Sequence, residues 1–128
     1  MNASTVVLTT VSDALIAFKE FTGDMDVQVQ AIQTFLLIAT RDSLSLQDIA
    51  KLIGLNQSTA TRNVKKLAVG PSQQDGYGLI TVELDLHDQR RRIHKLSARG
   101  HELVRFLEER TAPSLTYHFA KTFGVKQS

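Results

Sequence analysis

The chain has 128 residues, 42% apolar and 22% charged, which fits one globular domain with a sizeable core and excludes wholesale disorder. It contains no cysteine, which excludes disulfide scaffolds, thiolate zinc sites and cysteine redox sensing. The unbroken apolar run 35–39 is far too short to span a bilayer, and the start Met1-Asn2-Ala3-Ser4 lacks the basic region of a secretory signal. A cytoplasmic protein without a membrane partner is therefore expected.

Net charge is only +2, but it is unevenly spread. Residues 56–101 carry eight Lys/Arg (Arg62, Lys65, Lys66, Arg90, Arg91, Arg92, Lys95, Arg99) against four acids (Asp75, Glu83, Asp85, Asp88), a net +4, so the remainder sums to −2. A surface that faces phosphates needs such a concentration of cations.

In chain order, Val7, Val11, Leu15 and Phe18 recur at helical spacing, widened by Leu8 and Ile16, and predict a first helix over about residues 5–21 that ends at Gly23. A second is expected over about 27–40, opened by Asp24 or Asp26, with Ile32, Phe35, Leu36 and Ala39 facing the core. A third opens at Ser45, with Asp48 in capping-box position and Leu46, Ile49, Ala50 and Ile53 on one side. Gly54 supplies a sharp turn with Leu55 beneath the corner, and Asn56 caps a fourth helix running to about residue 68. On that helix Ala60, Val64 and Leu67 make a narrow apolar stripe, while Ser58, Thr61, Arg62 and Lys65 fall opposite.

Residues 69–77 read as a polar loop, either a tolerated surface insertion or a contact loop for DNA or a partner. From Leu79 the period changes to two: Ile80, Val82, Leu84 and Leu86 alternate with Thr81, Glu83 and Asp85, as in a half-buried strand. A second strand over 92–96 closes a hairpin around the basic run 90–92. Ser97 then caps a helix over about 98–111 with Leu103, Phe106 and Leu107 facing inward; Pro113 is expected to break it before a last short helix over 114–123.

The fold class is therefore mainly α with a small β-hairpin (α+β). It is a single domain with a winged helix-turn-helix core over about residues 27–100 and flanking helices over about 5–22 and 98–123. The flanking helices carry more apolar residues than short isolated helices can hide, so a homodimer is expected.

The helix-turn-helix reads Leu46-Gln-Asp-Ile-Ala-Lys-Leu-Ile-Gly-Leu55, then Asn56-Gln-Ser-Thr-Ala-Thr-Arg62-Asn-Val-Lys-Lys-Leu67. The wing supplies Gly78-Leu79, then Asp88-Gln89-Arg90, then Leu96-Ser97 and Gly100. In both patterns, in this order, residues 27–110 resemble the MarR (multiple antibiotic resistance regulator) family of winged-helix transcription factors. One departure is the eleven positions from Leu67 to Gly78, where the family uses only a few; the chain is also slightly short for the family.

The helical wheel and the resemblance together single out Gln57, Ser58, Thr59, Thr61 and Arg62 as major-groove residues. Gln57 is suited to adenine and Arg62 to guanine or a phosphate, and the short hydroxyls allow close backbone approach. Lys65 and Lys66 are expected on the DNA backbone, with Asn56 presenting helix-terminal amides to a phosphate. Arg90, Arg91 and Arg92 are expected in the wing, at least one of them at a minor groove. The resemblance implies that Asp88 orients Arg90. The plain alternative is a solvated amphipathic helix and, for Arg92, a solvent-facing strand position.

No nucleophile and base can be assembled, so no enzyme is expected, and no cofactor. His87, His94, His101 and His118 lack metal-ligand spacing, so no metal is expected either. The expected partner is double-stranded DNA, bound by a dimeric repressor at a pseudo-palindromic operator. The resemblance further implies a small aromatic effector, for which no residue here establishes a site. Two other readings stay open: a DNA-binding protein in replication or maintenance of a mobile element, and a winged helix that recruits a protein partner.

Overall fold

A computed structural model describes residues 3–41, 43–68, 76–88 and 90–123. The elements are α1 (Ala3–Thr22), α2 (Val29–Thr40), α3 (Leu46–Ile53), α4 (Gln57–Leu67), β1 (Ile80–Leu84), β2 (Arg92–Leu96) and α5 (Ala98–Phe123). They fall into two units, Asp26–Leu103 and Met1–Met25 with Val104–Ser128. None of the described helices is long and apolar enough to cross a membrane.

Local chemistry sets the helix ends in the larger unit. The Ser45 hydroxyl accepts from the Asp48 amide at 3.2 Å while the Asp48 carboxylate accepts from the Ser45 amide at 3.0 Å, so two orphan donors are satisfied at once. Gly54, at φ 77°, closes α3 in the left-handed region, and its amide and that of Leu55 both donate to the Ala50 carbonyl. Asn56 Oδ1 then accepts from the Thr59 amide at 2.8 Å and starts α4. The second helix differs from expectation: neither Asp24 nor Asp26 occupies its cap position. It begins later, with Gln28 at the cap position and no cap bond from the Gln28 side chain, and buries Ala31, Ile32, Thr34, Phe35 and Ile38 while Leu36 is exposed.

Strands β1 and β2 pair antiparallel, with Ile80 opposite Leu96 and Leu84 opposite Arg92. Single bridges extend the pairing, Leu44 to His94 on one side and Ala68 to Ile80 on the other. The alternation from Ile80 to Leu86 is present in the sequence, yet only Ile80 is buried; Val82, Leu84 and Leu86 are exposed, Leu86 by 94%. The reason is that α2 and α3 pack on β2, where Ile93 and His94 are buried, while β1 beyond Ile80 has no layer over it, so strand periodicity does not produce burial there.

The hairpin returns to α5 through one node. The Ser97 hydroxyl donates to the Gly78 carbonyl at 2.6 Å and accepts from the Gly100 amide at 3.0 Å, and the Ser97 amide donates to the Leu79 carbonyl. Gly100 packs so closely against the strand that a β-carbon there would collide with the Leu79 carbonyl oxygen. The Leu-Ser-x-x-Gly spacing thus has a steric cause.

In the smaller unit α1 and the later part of α5 meet through Phe21 and Phe106, with ring centroids 5.7 Å apart. Arg110 lies over the Phe106 ring and pairs with Glu20 at 2.8 Å. The apolar face expected on α1 is largely uncovered: Val6, Ala17 and Phe18 are buried, but Val7, Leu8, Val11 and Ile16 are exposed. A two-helix unit covers only one side of a helix that is apolar over more than one. Pro113 does not break α5, which runs through it. The Glu109 carbonyl freed by the missing N–H lies on an exposed stretch, where water can satisfy it.

Replacing Gly100 with Ala tests this packing against helix propensity. Propensity favours Ala by about 1 kcal/mol, whereas a clash with rigid backbone costs more. A net loss of about 1–3 kcal/mol is expected by urea unfolding.

Candidate nucleic-acid interface

Helix α4 is short and amphipathic, and its burial sorts its residues. Ala60, Val64 and Leu67 are buried, as is Asn63, whose Nδ2 finds no hydrogen-bond partner among the described residues. With that side fixed inward, Gln57, Ser58, Arg62, Lys65 and Lys66 are exposed, together with the cap Asn56, and Thr59 and Thr61 are half-buried. The Thr61 hydroxyl donates to the Gln57 carbonyl at 2.8 Å, so its proton is committed and its lone pairs remain to accept. The Lys66 ammonium lies 5.1 Å from the centroid of the Tyr77 ring, while the Tyr77 amide donates to the Lys66 carbonyl. Lys66 is thereby drawn towards the start of the hairpin. Of the loop 69–77, residues 69–75 lie outside the described residues, as does Gln89 of the wing.

The wing turn is built by two aspartates. Asp85 Oδ1 accepts from the His87 amide at 2.9 Å, and the Asp85 amide donates to the Arg91 carbonyl at 2.8 Å. Asp88 Oδ1 accepts from the Arg90 amide at 3.1 Å, and its carbonyl accepts from the Arg91 amide. The three arginines then diverge. Arg90 has a side chain 97% exposed; its Nε lies 3.9 Å from Asp88 Oδ1, too long for a hydrogen bond, so Asp88 orients the backbone more than the guanidinium. Arg92 stands exposed on β2 opposite Leu84. Arg91 turns back on the protein: Nη2 donates to Asp48 Oδ2 at 2.6 Å and to the Ser43 carbonyl at 3.3 Å, and Nη1 to Asp85 Oδ2 at 3.4 Å.

Of the outlying cations, Lys95 lies 3.6 Å from Glu83, and Arg99 Nε donates to the Tyr77 carbonyl at 3.0 Å. His94 is buried, its ring Nδ1 bonded to the Leu44 carbonyl at 2.9 Å. Among the described residues no three His, Asp or Glu side chains gather as a metal site would require. Sequence reasoning used Asp48 only as a cap and Asp85 only as a strand residue. Their common partner lies 43 positions from the former, and no local signal links them.

The chemistry of these contacts appears in the carboxylates. The Asp48 carboxyl is held below its ordinary range, first by the Ser45 amide and hydroxyl and then by Arg91, which together outweigh the opposing effect of desolvation. Asp85 is lowered by the His87 amide and then by Arg91, and the Arg91 guanidinium is raised by its bond to Asp48.

A helix-turn-helix whose second helix shows hydroxyls and cations outward, followed by a hairpin with a cationic turn, is a winged helix-turn-helix. No protein-family model matches the chain, and no curated protein does. Solved structures do. One is a MepR mutant from a multidrug resistant S. aureus clinical isolate, with TM-score 0.68, 18% identity, and 94% of this chain and 84% of that one covered. Another is wild-type MarR in its apo form from E. coli, with TM-score 0.58, 12% identity and 95% and 85% covered. A third is a further S. aureus MepR mutant, bound to an oligodeoxyribonucleotide, with TM-score 0.56, 18% identity and 100% and 86% covered. At these identities the likeness is one of fold: the chain has the winged-helix architecture of MarR-type regulators.

Carboxylates lowered in the folded state add stability above their unfolded value of about 3.9, and that stability is lost as pH falls through the lowered folded values. Urea unfolding followed from pH 6 downwards should therefore show wild type weakening more steeply below about pH 4 than Asp48→Asn. Parallel curves would mean that Asp48 has no such role.

Proposed function

We propose that this chain is a MarR-type transcriptional regulator that binds double-stranded DNA as a homodimer, acting as a repressor that occludes a pseudo-palindromic operator. The observation that carries the reading is the outward face of α4. Gln57, Ser58 and Arg62 are presented there by a helix whose other side is buried, and the same unit carries the exposed Arg90 in a wing turn. The winged-helix relative with an oligodeoxyribonucleotide bound, matched over the whole of this chain, supports it. In this reading α4 enters the major groove, where Gln57 and Arg62 meet base edges and the hydroxyls allow close approach, while Asn56 and Lys65 hold phosphates. Arg90 reaches the flanking minor groove with Arg92 beside it, and a second copy places the same elements about one helical turn away.

Selection of bound duplexes from a random-sequence library provides the test. Arg62→Ala should relax preference at one position of each half-site, losing about 1–3 kcal/mol of discrimination. Arg90→Ala should instead weaken binding across sequences and reduce the salt slope by about 1. Unchanged binding in both variants would remove these residues from the interface.

The dimer rests on the smaller unit, where Val7, Leu8, Val11 and Ile16 of α1 and Leu115, Tyr117 and Phe119 of α5 are exposed. Apolar surface of this extent on helices of one chain fits burial against a second copy. Analytical ultracentrifugation should give a dimer for wild type and a monomer for the Leu8→Glu, Val11→Glu double variant, with weakened DNA binding. A monomeric wild type at micromolar concentration would contradict the proposal.

A further inference from the structure

We propose that Arg91 is a positioning residue that ties the wing turn to the start of α3, and so fixes where Arg90 stands relative to the outward face of α4. The consequence for DNA rests on the function proposed above; the tie itself does not. Three segments converge on one guanidinium: the Ser43 carbonyl before α3, the Asp48 carboxylate in its first turn, and the Asp85 carboxylate at the end of β1.

Both carboxylates are already aimed. Asp48 Oδ2 also accepts from the Ser45 amide, and Asp85 Oδ1 accepts from the His87 amide, so neither has to be ordered by the arginine. Ser43 sits at φ 60°, rarely adopted by a residue other than glycine, and from there its carbonyl meets the same nitrogen that bonds Asp48. These bonds commit three of the five N–H donors of Arg91 and hold its guanidinium on the protein side of the wing turn.

The wing also requires an external tie. Beyond Ile80 every residue of β1 is exposed, so packing holds the far half of the hairpin only through Ile93 and His94 of β2, and nothing buried fixes the turn itself. A planar fork can serve Asp48 and Asp85 with different nitrogens at once, which a lysine cannot do. The side chains of Arg91 and Asp48 are 39% and 41% exposed, so the pair adds little global stability. It sets orientation instead.

The experiment compares wild type with Arg91→Gln, Asp48→Asn and the double variant on the duplex recovered by selection, alongside amide hydrogen exchange without DNA. Asparagine at 48 can still accept from the Ser45 amide, so the cap is retained. Simple electrostatics says that removing the Asp48 charge should tighten DNA binding. The tie predicts the opposite: either single variant weakens binding about three- to tenfold, with the salt slope kept, minor-groove protection lost and major-groove protection retained. The double variant should be no weaker than the worse single one. The amides of His87 and Arg91 should exchange faster in both single variants, while those of α4 do not.

Asp48→Asn binding at least as tightly as wild type, with Arg91→Gln lowering the salt slope by about 1, would make Arg91 a phosphate contact and overturn the proposal. Wild-type exchange rates in the wing turn of Arg91→Gln would overturn the tie itself. A wild-type chain that selects no duplex would end the functional reading alone, and exchange would then decide whether Arg91 holds the wing.

Discussion

Eleven residues of α4 are too few to hold a helix in water unaided, so the element exists because its apolar stripe docks. Burying Val64 and Leu67 contributes about 1.5–3 kcal/mol each, which outweighs the roughly 1–3 kcal/mol lost to the Asn63 amide, unpaired among the described residues. Once that side is fixed, 100° per residue leaves no freedom for the other. Ser58, Arg62 and Lys65 face outward because Ala60, Val64 and Leu67 face inward. The sharp corner at Gly54 and the Asn56 cap set where the helix begins, so its register follows from chemistry at its first residue.

The wing depends on anchorage in a different way. A two-stranded hairpin is marginal alone, and here it is fastened at its base. Leu79 and Ile80 are buried there and the Ser97 hydroxyl joins the hairpin to α5, while farther along β2 Ile93 and His94 are buried and Leu44 bridges to His94. Outward from that base β1 gains no packing, which is why its apolar and charged side chains alike become exposed. Polar contacts, not core contacts, then determine the shape of the tip: Asp85 and Asp88 each bond amides within a few residues, and Arg91 reaches across to α3.

What the sequence disclosed follows this division. The capping box at Ser45 and Asp48, the turn at Gly54, the cap at Asn56 and the stripe on α4 each rest on residues three or four apart in sequence, and all were legible. Alternation in β1 was legible as a strand but not as a depth of burial, because depth depends on whether a second layer exists. The apolar side of α1 was legible for a similar reason, since periodicity names a face without saying what covers it. Pro113 was read as a stop, yet a helix end also needs a competing conformation, and an exposed carbonyl that water can satisfy removes much of the penalty. Arg91 and Asp48 are 43 positions apart, beyond any local rule.

Arg90, Arg91 and Arg92 are chemically identical and adjacent, and yet they have three environments. Backbone position alone separates them. Arg90 lies in the turn that Asp88 closes, where its side chain is almost wholly in solvent. Arg92 is the first residue of β2 and exposed, while Arg91 between them is directed inward. Composition records only a cluster of three positive charges, as if for one purpose. The fold divides it: the middle guanidinium is bound by two carboxylates, while Arg90 and Arg92 on either side stay exposed, Arg90 with the Asp88 carboxylate 3.9 Å away. A basic run is therefore an upper bound on the cations available to a partner, and the protein's own aspartates determine how far below that bound the surface lies.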